Sequence, residues 1–192
     1  MKVAVSGIVF QLIKPTICPS TPSLKCYRKI NFKEMFLFLD IDGVMVPAKG
    51  WAKPELLNDG FAAFSDKAVR ALQSLIFEDT IIMLTSSHKS NYTIDEWKEI
   101  FKKRNILIDK FELLARNIEN LDRKNEIEKW FKANQKSAQE DFLIVDDDKS
   151  LNALPEHLKK NLILTSPLVG LTMETLKNAK DIPKRFRPRY NY

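Results

Sequence analysis

Two acidic clusters in this sequence each follow a run of apolar residues, and the first of them starts at Asp40. Asp40 comes directly after the run 35–39 and Asp42 follows two positions later, so on an extended chain both carboxylates leave on the same side. Carboxylates this close repel each other unless a cation or a proton lies between them. Because Mg²⁺ prefers oxygen ligands, the pattern predicts a Mg²⁺ site here, and the alternative is an acidic turn that ends the strand.

The second acidic cluster consists of Asp146, Asp147 and Asp148, and it follows the apolar run 142–145. If both runs are parallel strands, their carboxyl ends meet at one edge of a sheet, where open α/β sheets bind their ligands. Two strands that end in acids favour a shared metal site over a solvated acidic turn.

A third apolar run, 81–84, ends in the hydroxyl residues Thr85, Ser86 and Ser87. Hydroxyls and backbone N–H groups can donate hydrogen bonds to phosphate oxygens, and Lys89 adds a positive charge. The alternative is an ordinary turn, because Ser and Thr are common turn formers. His88 could act as a base, but an isolated His is more often a surface or packing residue.

These clusters need a scaffold that places the three strand ends together. Apolar runs predict buried parallel strands at 35–41, 81–85, 142–146 and 162–165. Capped amphipathic segments predict helices at 65–77 and from Thr93, Arg123 and Thr172 onward. The alternation of strands with helices predicts an α/β fold with a parallel sheet.

Length and composition limit the classes of protein to consider. A chain of 192 residues with 44% hydrophobic and 29% charged residues is typical of one globular domain, with or without a tail, and five Gly exclude a collagen-like chain. Cys18 and Cys26 make neither a disulfide framework nor a metal site. No apolar run approaches the roughly 20 residues of a spanning helix. The N-terminal stretch lacks a signal-peptide cleavage site, so we expect a cytoplasmic protein.

The net charge of +6 is concentrated at the two ends of the chain. Residues 1–34 hold six Lys/Arg and one acid, and residues 180–192 hold five Lys/Arg and one acid, which leaves residues 35–179 at −3. We expect residues 1–34 to be an extension of low order, absent from the natural protein if translation starts at Met35. Residues 35–179 would form the catalytic domain and residues 180–192 a basic tail, either a nucleic-acid-binding segment or a solubilising end.

The order of these motifs resembles that of the haloacid dehalogenase (HAD) superfamily of phosphohydrolases and phosphotransferases. In detail the chain is most similar to the small HAD domain of "Swiss Army Knife" RNA-repair proteins, through LDIDGV, TSSHK, RKNEIEKW, IVDDD and SPLVGLT in the expected order. His88 and Lys89 stand where that subfamily often has Trp and Arg. The resemblance implies a three-layer, Rossmann-like fold with helices on both faces of the sheet.

The resemblance also implies catalytic roles. Asp40 would be the nucleophile that forms an aspartyl-phosphate, and Asp42 would protonate the leaving oxygen and later activate water. Ser86 would bind the phosphoryl group, with Thr85 as the alternative. The charge between phosphate and nucleophile would be neutralised by Lys124, with Arg123 as the alternative.

The remaining implied positions bind metal and substrate. Mg²⁺ would be held by Asp40, Asp146, Asp147 and the backbone carbonyl of Asp42. Substrate would be contacted by Thr85, Ser87, Lys89, Arg123 and Gly43, the glycine permitting a sharp turn.

Motif spacing bears on the substrate. Only 43 residues separate Asp42 from Ser86, and a helix takes at least 12 of them, so 46–60 can form at most a short flap and not a large cap. An open site suits a phosphate on a large molecule such as a nucleic-acid end, which Trp51 and Lys53 in the flap could contact. The alternatives are a small-molecule (nucleotide) phosphatase and a non-catalytic module that binds phosphate or a partner.

Overall fold

The computed structural model describes residues 34–48, 50, 53–134, 141–179, 183 and 186. These residues contain a five-stranded, fully parallel sheet. Its strands are β1 (Met35–Leu39), β2 (Thr80–Leu84), β3 (Lys110–Leu113), β4 (Asp141–Asp146) and β5 (Leu162–Leu164). Their order across the sheet is β3-β2-β1-β4-β5, so β1 lies in the centre.

Five α-helices connect or follow the strands: α1 (Asp66–Gln73), α2 (Ile94–Lys102), α3 (Arg123–Ala133), α4 (Glu156–Lys159) and α5 (Met173–Asn178). Two 3₁₀ helices, Ser87–Ser90 and Lys149–Ala153, follow β2 and β4. The predicted helix starts at Ser65, Thr93 and Thr172 are confirmed, since each side chain accepts a hydrogen bond from the backbone three residues on. At Thr93 the reciprocal capping box with Glu96 is present.

Alternate residues of β1 face two separate hydrophobic cores. Leu37 and Leu39 pack in the core that includes α1, α2 and α5. Phe36 and Phe38 pack in the core that includes α3 and the 3₁₀ helix Lys149–Ala153. Both faces of the sheet are therefore covered, which confirms the predicted three-layer α/β fold.

The edge strand β3 was not predicted. Of its four residues only Phe111 is buried, while Lys110 and Glu112 are exposed. Charged and apolar residues alternate in β3, whereas the other edge strand, β5, is apolar throughout, so β3 lacks the continuous run by which the other strands were identified. The helix predicted over 65–77 is also shorter, because α1 ends at Gln73 and Ser74 caps it.

Residues of the predicted flap, 46–60, take part in two isolated bridges, Val46 with Asp42 and Leu56 with Ala62, and the described part of the flap holds no helix. Trp51, both cysteines, residues 1–33 and nearly all of the predicted tail lie outside the described residues. The predicted division of the chain into extension, domain and tail stays a prediction. In the part that the structure describes, no helix is long and apolar enough to cross a membrane.

Candidate active site

The register of the sheet brings three predicted site residues to the same level. The last residue of β1 pairs with the last residue of β2 and with Val145 of β4. The residues that come next in these strands, Asp40, Thr85 and Asp146, therefore lie side by side at the carboxyl edge of the sheet. Backbone hydrogen bonds from Asp40 N to Val145 O (3.1 Å) and from Thr85 N to Leu39 O (2.9 Å) hold this alignment.

Three carboxylates converge at this edge. Asp40, Asp146 and Asp147 each offer one oxygen, and these oxygens all lie within 4.8 Å of one another. Burial raises the pKa of all three carboxyl groups, that of Asp146 to about 7, and the neighbouring carboxylates add to the effect. Arg123 opposes the rise at each of them.

The guanidinium of Arg123 lies against this cluster. Its Nη2 is 3.3 Å from Asp40 Oδ1, its Nε is 3.1 Å from Asp146 Oδ2, and its Nη1 donates to the backbone carbonyl of Thr85. The contact between Nε and Asp146 is an ion pair without hydrogen-bond alignment, because neither atom has a hydrogen-bond partner among the described residues. Asp146 Oδ2 is thus a buried oxygen with lone pairs free for a cation.

Of the two adjacent basic residues left open by the sequence, Arg123 is the one that reaches the cluster. Lys124 Nζ lies 3.2 Å from Glu128 Oε1 instead. Consecutive helix residues point about 100° apart, so only one of them can face the strand ends. Asp122 caps α3, so both basic residues lie in its first turn.

The donor set fits Mg²⁺. All three converging groups are carboxylates, the ligand type that hard divalent cations prefer. With Glu126, Arg123 and Lys89 included, the site holds four carboxyl groups and two cations. When all four carboxyl groups are ionised, two negative charges are left in excess, which a divalent cation would neutralise.

Asp42 does not join the carboxylate cluster through its side chain. That side chain is 61% exposed and its Oδ2 lies 2.9 Å from His88 Nε2. The ring of His88 also packs edge-on against Phe61, with Asn91 Nδ2 3.4 Å from its Nδ1. A His that looked isolated in the sequence therefore has a carboxylate partner, and a metal contact from Asp42 stays a prediction that involves its backbone carbonyl.

Lys89 was expected to contact the substrate. It is instead 5% exposed, and its Nζ lies 3.0 Å from Glu126 Oε1. Glu126 was not singled out from the sequence. The available signal was its spacing, because a residue three positions after Arg123 lies on the same face of the helix.

The other predicted residues have local structural roles. The buried Ser86 hydroxyl accepts a hydrogen bond from His88 N (3.3 Å) and caps the 3₁₀ helix, which begins with the exposed Ser87. Thr85 Oγ1 is buried and has no hydrogen-bond partner among the described residues, so it can donate to a ligand.

Gly43 allows Asp147 to approach the β1 turn. Its φ is +68°, and a Cβ at this position would lie 2.0 Å from Asp147 Oδ2. Glycine is thus required for both the backbone conformation and the space.

The nearby cavity of about 200 Å³ lies along α3 rather than at the carboxylates. Its lining includes Glu126 and Trp130 but none of Asp40, Asp146 and Asp147.

Adjacent strands of this parallel sheet end in Asp40, in Thr85 and in the pair Asp146 and Asp147, and helix α3 adds Arg123. This combination of fold and site residues defines a protein of the HAD class. The family described as "HAD domain in Swiss Army Knife RNA repair proteins" matches residues 36–176, and the chain belongs to this family. This membership supports a HAD-type phosphohydrolase in general. No curated protein and no solved structure matches the chain.

Proposed function

We propose that this protein is a Mg²⁺-dependent phosphatase that works through an aspartyl-phosphate. The observation that carries the proposal is the convergence of Asp40 with Asp146 and Asp147 beside the guanidinium of Arg123. Phosphoryl transfer requires from a protein mainly positioning and neutralisation of charge, and this cluster has groups suited to both.

In the proposed reaction a carboxylate oxygen of Asp40 attacks the phosphorus, and the bond from phosphorus to the leaving oxygen breaks. Asp42 donates a proton to that leaving oxygen. Asp42 then takes a proton from water, which attacks the phosphorus, breaks the bond to Asp40 and releases inorganic phosphate. Splitting one difficult displacement into two is the benefit of covalent catalysis.

Two further groups would assist these steps. The guanidinium of Arg123 would bind phosphate oxygens and offset the charge of Asp40, for which its planar fork is suited. The free hydroxyl of Thr85 would donate to the phosphoryl group, with Ser86 as the alternative. The side chain of Asp42 is exposed to solvent, which is compatible with its exchanging protons with water.

Mg²⁺ would be held by Asp40, Asp146, Asp147 and the carbonyl of Asp42. When bound, it would neutralise negative charge on the carboxylates and on the phosphate. The buried Asp146 Oδ2, which lacks a hydrogen-bond partner among the described residues, is the specific support for this assignment.

For the substrate we propose phosphorylated nucleic-acid ends. The family's description as a domain of RNA-repair proteins supports this class. So does the described part of the segment between Asp42 and α1, which holds two isolated bridges and no helix from which to build a large cap.

The test is a substrate panel with and without Mg²⁺. We expect hydrolysis of an aryl phosphate that EDTA abolishes, and faster hydrolysis of a 3′- or 5′-phosphorylated oligonucleotide than of mononucleotides. Asp40→Asn should reduce every rate by at least about 1,000-fold while Asp66→Asn, which alters an exposed carboxylate at the start of α1, should not. Faster mononucleotide hydrolysis would indicate a nucleotide phosphatase. No turnover on the panel, with no Mg²⁺ binding, would indicate a non-catalytic module.

A further inference from the structure

The carboxylate of Glu126 joins two nearly buried cations beside the proposed site. Its Oε1 lies 3.0 Å from Lys89 Nζ, and its Oε2 lies 3.5 Å from Arg123 Nη1. The three side chains are 10%, 6% and 11% exposed, respectively. A carboxylate placed between two buried cations in this way is shielded from water, and its contacts are correspondingly strong.

The contact with Arg123 bears on the orientation of its guanidinium. The N–H groups of a guanidinium form a rigid plane, so holding one nitrogen restricts the directions of the others. Nη1 is held between Glu126 and the Thr85 carbonyl, and this leaves Nη2 directed at Asp40.

The contact with Lys89 holds the carboxylate of Glu126 itself. The ammonium of Lys89 donates to Oε1 at 3.0 Å, which leaves Oε2 to contact Arg123. Both oxygens of the carboxylate are thus engaged, and Glu126 in turn neutralises the buried ammonium.

We propose that Glu126 is a positioning residue for phosphoryl transfer. It orients the guanidinium of Arg123 toward Asp40, and its own carboxylate is held in place by the ammonium of Lys89. This inference rests on the proposed function, in which Arg123 contacts the phosphoryl group.

The same helix supplies a matched control. Glu128 is also on α3 and also pairs with a lysine, Lys124, at 3.2 Å, but among the described residues neither side chain forms an ion pair with Asp40, Asp146 or Asp147. Glu128→Gln therefore removes an ion-paired carboxylate from the helix without altering Arg123.

The experiment compares four variants with the wild-type protein: Glu126→Gln, Glu126→Asp, the double variant Glu126→Gln/Lys89→Gln, and the control Glu128→Gln. Steady-state kcat and KM are measured on an aryl phosphate with Mg²⁺. Binding of orthovanadate, a phosphate mimic, is measured by titration and reports on the same site without turnover. The double variant keeps the test valid if Glu126→Gln alone fails to fold, because its Lys89 partner is neutralised as well.

We expect Glu126→Gln and the double variant to lower kcat by about 10- to 100-fold with a smaller change in KM, as is usual when a catalytic group is displaced by a fraction of an ångström to an ångström. Glu126→Asp should recover part of the rate, and Glu128→Gln should stay within about twofold of the wild type. Orthovanadate should bind more weakly to both Gln variants at position 126 than to the control.

Recovery of the wild-type kcat by the double variant would overturn the inference, because Glu126 would then serve only to neutralise Lys89. Equal kcat in Glu126→Gln and Glu128→Gln would overturn it as well. If the wild-type protein hydrolyses no phosphate ester, the proposed function fails, and the role of Glu126 is then tested by orthovanadate binding alone. Weaker binding by Glu126→Gln than by Glu128→Gln then supports it, and equal or undetectable binding overturns it.

Discussion

The Nη2 atom of Arg123 lies 3.3 Å from the Oδ1 atom of Asp40, at the point where the first turn of α3 meets the end of the central strand. This relationship joins residues 83 positions apart in the sequence. The adjacent Lys124 points to Glu128 instead, so the residue that faces the carboxylates is Arg123, which the sequence offered as the alternative, and not the expected Lys124.

Exchanging these two residues for methionine tests that separation. Arg123→Met should lower kcat/KM on an aryl phosphate by about 100- to 1,000-fold, because a charged donor to the transition state is lost. Lys124→Met should stay within about twofold of the wild type, since among the described residues its side chain pairs with a helix neighbour, at a partly exposed position. The reverse order of effects would contradict the placement of Arg123 in the site.

Thr85→Val should lower the rate of hydrolysis without lowering the stability of the fold. The Thr85 hydroxyl is buried without a partner among the described residues, so replacing it with a methyl group of similar shape should leave the free energy of unfolding unchanged or raise it by up to about 1 kcal/mol. The rate should nevertheless fall by about 100-fold, because a donor to the phosphoryl group is removed. Urea denaturation and steady-state kinetics measure the two effects.

Ser86→Ala is the matched variant for Thr85→Val. It removes the cap of the 3₁₀ helix Ser87–Ser90 and should destabilise the protein by about 1 kcal/mol with a smaller loss of rate. A larger loss of rate in Ser86→Ala than in Thr85→Val would assign the phosphoryl contact to Ser86.

Gly43→Ala should disrupt the proposed metal site, and Gly60→Ala provides the control. Both glycines have positive φ, +68° and +76°, but only at Gly43 would a Cβ collide with Asp147. Gly60→Ala should therefore lower the free energy of unfolding by about 1 to 2 kcal/mol through backbone strain alone.

The clash at Gly43 adds a functional effect to that strain. If Mg²⁺ binds as proposed, it should raise the melting temperature of the wild type, and Gly43→Ala should reduce that rise because Asp147 must move to make room. Differential scanning fluorimetry across a Mg²⁺ series measures this. An equal Mg²⁺ response in Gly43→Ala and the wild type would contradict the proposed contribution of Asp147 to the site.

The buried ion pair between Asp59 and Arg104 should make stability depend on pH in the acid range. Hydrogen bonds from Arg104 are the main cause that lowers the pKa of Asp59 to about 2, and the Asp59 side chain is only 7% exposed. A carboxyl group whose pKa is lower in the folded state stabilises the fold above its unfolded value of about 4, and this stabilisation is lost as the pH falls toward 2.

Urea denaturation of the wild type and of Asp59→Asn checks the effect. Asp59→Asn should be less stable at pH 7, and the difference between the two proteins should shrink by roughly 2 kcal/mol between pH 4 and pH 2. A difference that stays constant over this range would contradict the lowered pKa.

The strands that flank the site could be predicted from sequence because both of their faces are buried. Leu37 and Phe38, for example, pack in opposite cores, and such strands show continuous apolar runs. The edge strand β3 has no such run, so its four residues could be identified only by their pairing with β2.

The convergence of Asp40 and Asp146 could be predicted, because it depends on residue type at two strand ends. Assignments that depend on where a side chain points could not be predicted. The expected substrate lysine, Lys89, is paired with Glu126, and His88 is paired with Asp42, because segments distant in sequence approach each other in the fold.

The sequence by itself determined the class of fold, the family and the acidic strand ends, because burial periodicity and residue type are local properties of the chain. Only the tertiary structure decided that Thr85 is level with Asp40, that Arg123 rather than Lys124 faces the carboxylates, and that Glu126 lies between two cations. Strand register and helix rotation are set by packing of the whole sheet and its two cores, and a one-residue change in either would direct a different side chain into the site.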